Sequence, residues 1–192
     1  MTIAVVAWCS MIAAPGLLNL APPKRWRRDG PWLAVEYARL SRGGILELAL
    51  VDDSQAWDAA RHPHPAVWAP HASDDLAVAR DNLRARKRVQ PAQTGAWQVG
   101  ERPANDAGQI IAAWCEEKGL QGAVWCAAPP KVPALTADAA VAYVREMHPT
   151  DQASARTYVQ RTPAQIQTPF RARFREAFGW QDEALPAEVF AD

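Results

Sequence analysis

The chain opens on an uninterrupted apolar run, Ile3 to Trp8, which breaks at Cys9 and Ser10 before Met11 and Ile12 resume it. A short apolar run closed by small polar residues reads as a buried strand. A strand that stops in this way brings backbone N–H groups and a hydroxyl to one end of a sheet, which suits the binding of an anionic or carbonyl oxygen. The plainer alternative is a strand-end serine bonded to its own backbone.

The remaining punctuation predicts an order of elements. Trp32–Arg39 and Ile45–Val51 alternate and are joined by Ser41-Arg42-Gly43-Gly44, the residue types of a hairpin turn. Residues 52–65 read as an exposed loop and Ala66–Pro70 as a short strand. Ser73 is the expected N-cap of a helix over Asp74–Arg88, with Leu76, Ala79 and Leu83 inward, acids in the first turn and bases in the last. Residues 90–104 read as turns. A second helix is expected over Asp106–Lys118 with Ile110, Ile111 and Trp114 inward and Gly119 as its stop. Ala123–Ala127 reads as a strand. Three more helices follow: one opened by Thr136, one carrying Tyr158 and Val159, and one opened by Thr168-Pro169 with Phe170, Phe174 and Phe178 on one face. Arg171, Arg173 and Arg175 are expected to coat the exposed side of that last helix. Strands come mostly first and helices mostly last, an α+β arrangement that admits a small mixed β-barrel with flanking helices.

Bulk properties bound the function. At 192 residues the default is a single domain, 1–192. Lys plus Arg equals Asp plus Glu at 21 each, so nothing global argues for nucleic acid or a membrane surface as partner. The three cysteines, Cys9, Cys115 and Cys126, lack metal-ligand spacing and read as buried thiols in a reducing, cytoplasmic setting. No basic residue precedes the first apolar run, as a signal peptide would require. Dinucleotide-binding, phosphate-loop and tandem metal motifs are absent.

Several segments taken in order resemble the γ-glutamylcyclotransferase-like proteins, in a poorly characterised bacterial branch. They are Val6-Ala7-Trp8-Cys9-Ser10-Met11-Ile12, Gly30 to Ser41, Val67-Trp68-Ala69 leading into a helix, Ala123 to Pro130, and Tyr158-Val159-Gln160-Arg161-Thr162-Pro163 with Gln165 to Pro169. The resemblance implies a small barrel with flanking helices. It also implies cyclisation of a γ-glutamyl amine to 5-oxoproline without metal or organic cofactor. A glutamate would move a proton between the two nitrogens, and the backbone of the first-strand turn would hold the substrate.

The chain departs from that pattern twice. The turn reads Trp8, Cys9, Ser10, Met11, where the family has Tyr-Gly-Ser and then Asn or Leu. The segment that should carry the catalytic glutamate reads Leu83-Arg84-Ala85-Arg86-Lys87-Arg88, which sets Lys87 in the acid's place. A protonated lysine cannot accept the amine's proton.

The candidate residues follow from both readings. Trp8, Cys9, Ser10 and Met11 are the expected substrate-binding turn. Glu36, flanked by Ala34 and Ala38 on one strand face, is the surviving candidate for the proton carrier, against the plainer role of a sheet glutamate paired to Arg28 or Arg39. Arg28, in the cluster Lys24-Arg25-Trp26-Arg27-Arg28, is a candidate clamp for a substrate carboxylate, against a solvated loop charge. Tyr158 is a candidate ligand partner, against a core tyrosine with a satisfied hydroxyl. Asp81 reads as a solvated helix charge. The histidines His62, His64 and His71 lack the spacing of a zinc site. Two functions stand open: a cyclotransferase-like enzyme, or an inactive protein on the same fold that binds a small, amino-acid-like anion.

Overall fold

The computed structural model describes residues 1–41, 44–51, 62–131 and 136–191. In chain order the elements are β1 (Ile3–Ala7), β2 (Trp32–Leu33), β3 (Val35–Leu40), β4 (Leu46–Leu50), β5 (His64–Pro65), β6 (Val67–Pro70), α1 (Leu76–Lys87), β7 (Thr94–Gln98), α2 (Asp106–Glu117), β8 (Gly122–Cys126), α3 (Ala137–Glu146), α4 (Pro149–Gln160) and α5 (Pro169–Phe178). They group into two compact units, both discontinuous in sequence. The first comprises 1–33, 65–128 and 186–192, and the second 34–64 and 129–185.

The first unit is built on a four-stranded sheet in the order β6-β1-β8-β7. β1 runs parallel to β8, with Val5 opposite Val124, and antiparallel to β6, with Val6 opposite Trp68. β7 lies antiparallel to β8, with Gly95 opposite Trp125. Every residue of β1 is buried, so both faces of the sheet are covered, as its unbroken apolar run requires. α1 and α2 supply the two covers. Trp125 lies over Gly95, where a Cβ would fall 2.1 Å from the indole, and its ring also reaches Gly108 of α2. On the opposite face Ala96 shares a shallow groove with Arg80 and Arg84 of α1. Asp75 caps α1 by accepting the amides of Ala77 at 2.7 Å and Val78 at 3.2 Å. Asn105 caps α2 through the Gly108 amide at 2.8 Å. Each such cap contributes about 1 kcal/mol.

The second unit pairs the β3–β4 hairpin with α3, α4 and α5. The hairpin closes through Ser41 and Gly44, whose amide donates to the Ser41 carbonyl at 3.1 Å. Arg42 and Gly43 of the expected turn lie outside the described residues, as do 52–61 of the expected loop. The register shifts between Tyr37 and Arg39, a bulge that bends β3. Thr136 and Thr168 cap α3 and α5 as their positions predict, accepting from Ala139 and Arg171 at 3.1 Å and 3.2 Å. Tyr37, Phe174, Phe178 and Trp180 form an aromatic core, with Tyr37 edge-on to Phe174 at 5.6 Å and Phe178 stacked on Trp180 at 4.6 Å.

The α+β class stands, whereas the expected barrel does not: among the described residues no sheet closes on itself. The larger sheet ends at β6 and β7, and β3–β4 is a separate two-stranded sheet. The turn-rich reading of 90–104 also fails, because Thr94–Gln98 forms β7. Gly95 and Ala96 have little strand propensity, and pairing with β8 overrides it. The run 32–39 is interrupted at Ala34, which separates β2 from β3. Asp75 takes the cap expected of Ser73, and α1 carries no acid in its first turn. Ile110, expected inward, is 44% exposed, while Ile111 and Trp114 are buried. Arg171, expected on the outside, is fully buried. Among the described residues no helix is long and apolar enough to cross a membrane.

Candidate functional site

β1 runs parallel to β8, and the carboxyl ends of parallel strands are where open sheets characteristically leave room for ligands. The chain leaves β1 in a tight turn, in which the Ile12 amide donates to the Cys9 carbonyl at 3.0 Å and Ala14 to Ser10 at 3.1 Å. Trp8, Cys9 and Met11 are buried and only Ser10 is exposed. Of the four residues expected to bind, three are therefore buried and one is exposed.

α1 holds this turn from its own last turns. Asn82 donates to the Leu17 carbonyl at 2.8 Å and accepts the Asn19 amide at 2.8 Å. Arg86 donates to the Pro15 carbonyl at 2.8 Å and also to that of Ala14. Lys87 places Nζ 3.7 Å from Cys9 Sγ. Asn82 and Arg86 are four apart on one helical stripe, with Lys87 beside it. The last turn of α1 carries Arg84, Arg86 and Lys87. The end of β1 thus sits against a cationic helix terminus, and Lys87 stands half-buried beside the turn.

Arg28 lies elsewhere in the first unit, its guanidinium 4.1 Å above the Phe190 ring. Its neighbour Asp29 organises a polar knot. Asp29 accepts from Trp68 Nε1 at 2.9 Å and from Lys118 Nζ at 2.6 Å, and its carbonyl takes Trp114 Nε1 at 3.0 Å. The Asp29 carboxyl is held below its ordinary value: the opposing cost of burial is outweighed by the Lys118 and Trp68 hydrogen bonds.

Glu36 and Tyr158 belong to the second unit. The Glu36 side chain is only 1% exposed. Its Oε1 accepts from Thr168 Oγ1 at 2.6 Å and from the Tyr37 amide at 2.9 Å, and its Oε2 from the Phe170 amide at 3.3 Å. The carboxyl therefore binds the first turn of α5, where unpaired amides and the positive end of the helix dipole favour it. Burial nevertheless pushes its pKa up to about 7, against the lowering effect of Thr168, Tyr37 and Phe170. Tyr158 accepts the Leu48 amide at its hydroxyl at 3.1 Å and meets Tyr37 edge-on at 6.1 Å.

Arg171 escaped the sequence reading. Its guanidinium donates to the carbonyls of Thr162, Pro163 and Ile166 at 2.6–2.8 Å and pairs with Asp182 at 3.0 Å. The signal was present, because 171, 174 and 178 follow the i, i+3, i+7 spacing of a buried stripe. Asn82 and Arg86 were missed as well; their four-residue spacing is the only mark they leave. Among the described residues no group of three or more His, Cys, Asp or Glu could hold a metal ion. Compared with protein families, curated proteins and solved structures, the chain matches none.

Chemically, the two sets differ. The end of β1 brings together the Lys87 amine, the buried Cys9 thiol, an exposed hydroxyl and the backbone of a tight turn, residue types that suit recognition of a small anion. Glu36 offers a proton at neutral pH but is enclosed and already accepts from three donors.

Proposed function

We propose that this chain is a small-anion-binding protein, with its site at the turn that ends β1. The anion is amino-acid-like, such as glutamate or 5-oxoproline. The observation that carries this reading is Lys87, whose amine stands 3.7 Å from Cys9 on that turn. By the resemblance to γ-glutamylcyclotransferase-like proteins, this is the place of the glutamate that shuttles the proton. In this chain the position is next to the turn but holds a cation. A carboxylate pairs with it where a base is missing, so binding outlives cyclisation. Ser10 supplies the exposed hydroxyl, and the turn backbone supplies N–H donors.

The enzymatic alternative gives the proton transfer to Glu36, whose pKa of about 7 would suit a proton carrier at neutral pH. Its enclosure in the second unit, with both oxygens occupied, favours the binding reading.

A thermal-shift panel of glutamate, 5-oxoproline and γ-glutamyl dipeptides separates the two, together with an assay for released 5-oxoproline. Binding raises the unfolding temperature with ligand concentration. We expect stabilisation by the free acids, no 5-oxoproline from the dipeptides, and loss of stabilisation in Lys87→Glu. Turnover of a dipeptide that disappears in Glu36→Gln would replace the binding reading with the enzymatic one. No response to any compound would remove both.

A further inference from the structure

The contact between Cys9 and Lys87 carries chemistry beyond electrostatics. A thiol and a primary amine 3.7 Å apart become a nucleophile–electrophile pair once the sulfur is oxidised. Peroxide converts a thiol to a sulfenic acid, whose sulfur is captured by a nearby thiol or nitrogen when one is in reach. The turn fixes one partner: Cys9 is buried, with its carbonyl tied to the Ile12 amide. α1 fixes the other, since Asn82 and Arg86 anchor the helix end to the same loop.

The remaining thiols differ from Cys9. Cys115 is fully buried on α2, and burial pushes its thiol up to about 12, which leaves it inert. Cys126 is half-buried at the end of β8. Cys9 is 4% exposed and has the Lys87 amine 3.7 Å from its sulfur.

We propose that Cys9 is a peroxide-modified residue whose oxidised sulfur is captured by Lys87 as a sulfenamide. In the first step the peroxide O–O bond breaks. One oxygen is transferred to Cys9 Sγ and the other leaves as water, so sulfur is oxidised by two electrons and peroxide is reduced. In the second step Lys87 Nζ, having given its proton to water, attacks Sγ. The S–O bond breaks, a second water leaves, and an S–N bond forms. A small thiol reverses the bridge by attacking sulfur and releasing the amine. The bridge needs only the Cys9–Lys87 contact and does not depend on the binding reading. Its consequence does rest on that reading: bridging removes the Lys87 charge, so the oxidised protein loses its anion site.

The test uses the full chain in its folded state, treated with hydrogen peroxide and analysed by intact mass and peptide mapping without ligand. The expected product has lost two hydrogens, resists tryptic cleavage after Lys87 and yields one fragment joining the segments of Cys9 and Lys87. Dithiothreitol returns it to the starting mass. Lys87→Arg keeps the charge but lacks a nucleophilic amine, so it should give a Cys9 sulfenic acid that dimedone traps. Cys9 recovered as free thiol, as sulfinic or sulfonic acid or in a disulfide with Cys126, with Lys87 cleaved normally, would overturn the proposal. So would the two-hydrogen loss persisting in Lys87→Arg. Because no ligand enters this experiment, its failure leaves the anion titrations of the reduced protein standing, and the reverse also holds.

Discussion

Lys87 in the first unit and Glu36 in the second are both ionisable groups partly or wholly withdrawn from water, and the chain treats them in opposite ways. Lys87 sits half-buried at a helix end, beside a sulfur and with other bases in its turn. Glu36 is sealed among neutral donors, which soften the cost of burial without cancelling it. A side chain at the margin of the fold is nearer to solutes than one sealed in its core. A carboxyl enclosed at the start of α5 can only titrate with the fold. On the proposed reading recognition belongs to the end of β1, whereas Glu36 ties β3 to the start of α5.

The largest expected effect sharpens the structural side of the contrast. Arg171→Met leaves three buried carbonyls without their donor and Asp182 with Arg175 alone at 3.5 Å, and should cost about 3–5 kcal/mol in urea denaturation. Full stability in that variant would show that the buried network of the second unit is dispensable.

The pH dependence of Glu36 comes next. Its pKa rises from an ordinary 4.5 to about 7 in the folded chain, so between these values the folded state binds more protons than the unfolded one. The stabilisation from this group is complete below pH 4.5 and is lost as pH rises through about 7. Its full loss is on the order of 3 kcal/mol. Denaturation at pH 5 and pH 8 should show the wild type losing stability on the alkaline side and Glu36→Gln losing much less. Equal slopes would show that Glu36 titrates in the folded chain as it does in the unfolded one, and would remove the ground for it as a proton carrier at neutral pH.

Gly95→Ala drives a methyl into the Trp125 ring and should cost about 1–3 kcal/mol by thermal or urea unfolding. The smallest stability effect falls on the proposed site itself. Lys87→Met should change stability by less than about 1 kcal/mol, yet weaken anion binding by roughly 10- to 100-fold, the loss of one charged hydrogen bond. A large stability loss would instead make Lys87 a structural clamp.

What the sequence disclosed follows the same division. Local chemistry was legible: the hairpin around Ser41 and Gly44, the threonine caps at 136 and 168, and the first buried strand all follow from residue type and spacing. What depends on partners distant in sequence was not. β7 is held by β8 rather than by its own Gly95 and Ala96, and Arg171 looked like one of three surface arginines until carbonyls at 162, 163 and 166 closed around it. Within the candidate site, the run of bases at 84, 86 and 87 was readable from order alone. That Asn82 and Arg86 tie α1 to the loop after β1 required the fold, since their partners are carbonyls and amides that no side-chain pattern marks.

The most direct test is a chemical-shift titration of the isotope-labelled chain with 5-oxoproline and with glutamate. Recognition at the end of β1 predicts saturable shifts at the amides of Ser10 and Met11 and along 82–88, with those of Tyr37, Thr168 and Phe170 unmoved. Shifts centred on Tyr37, Thr168 and Phe170, or none at any concentration, would contradict it.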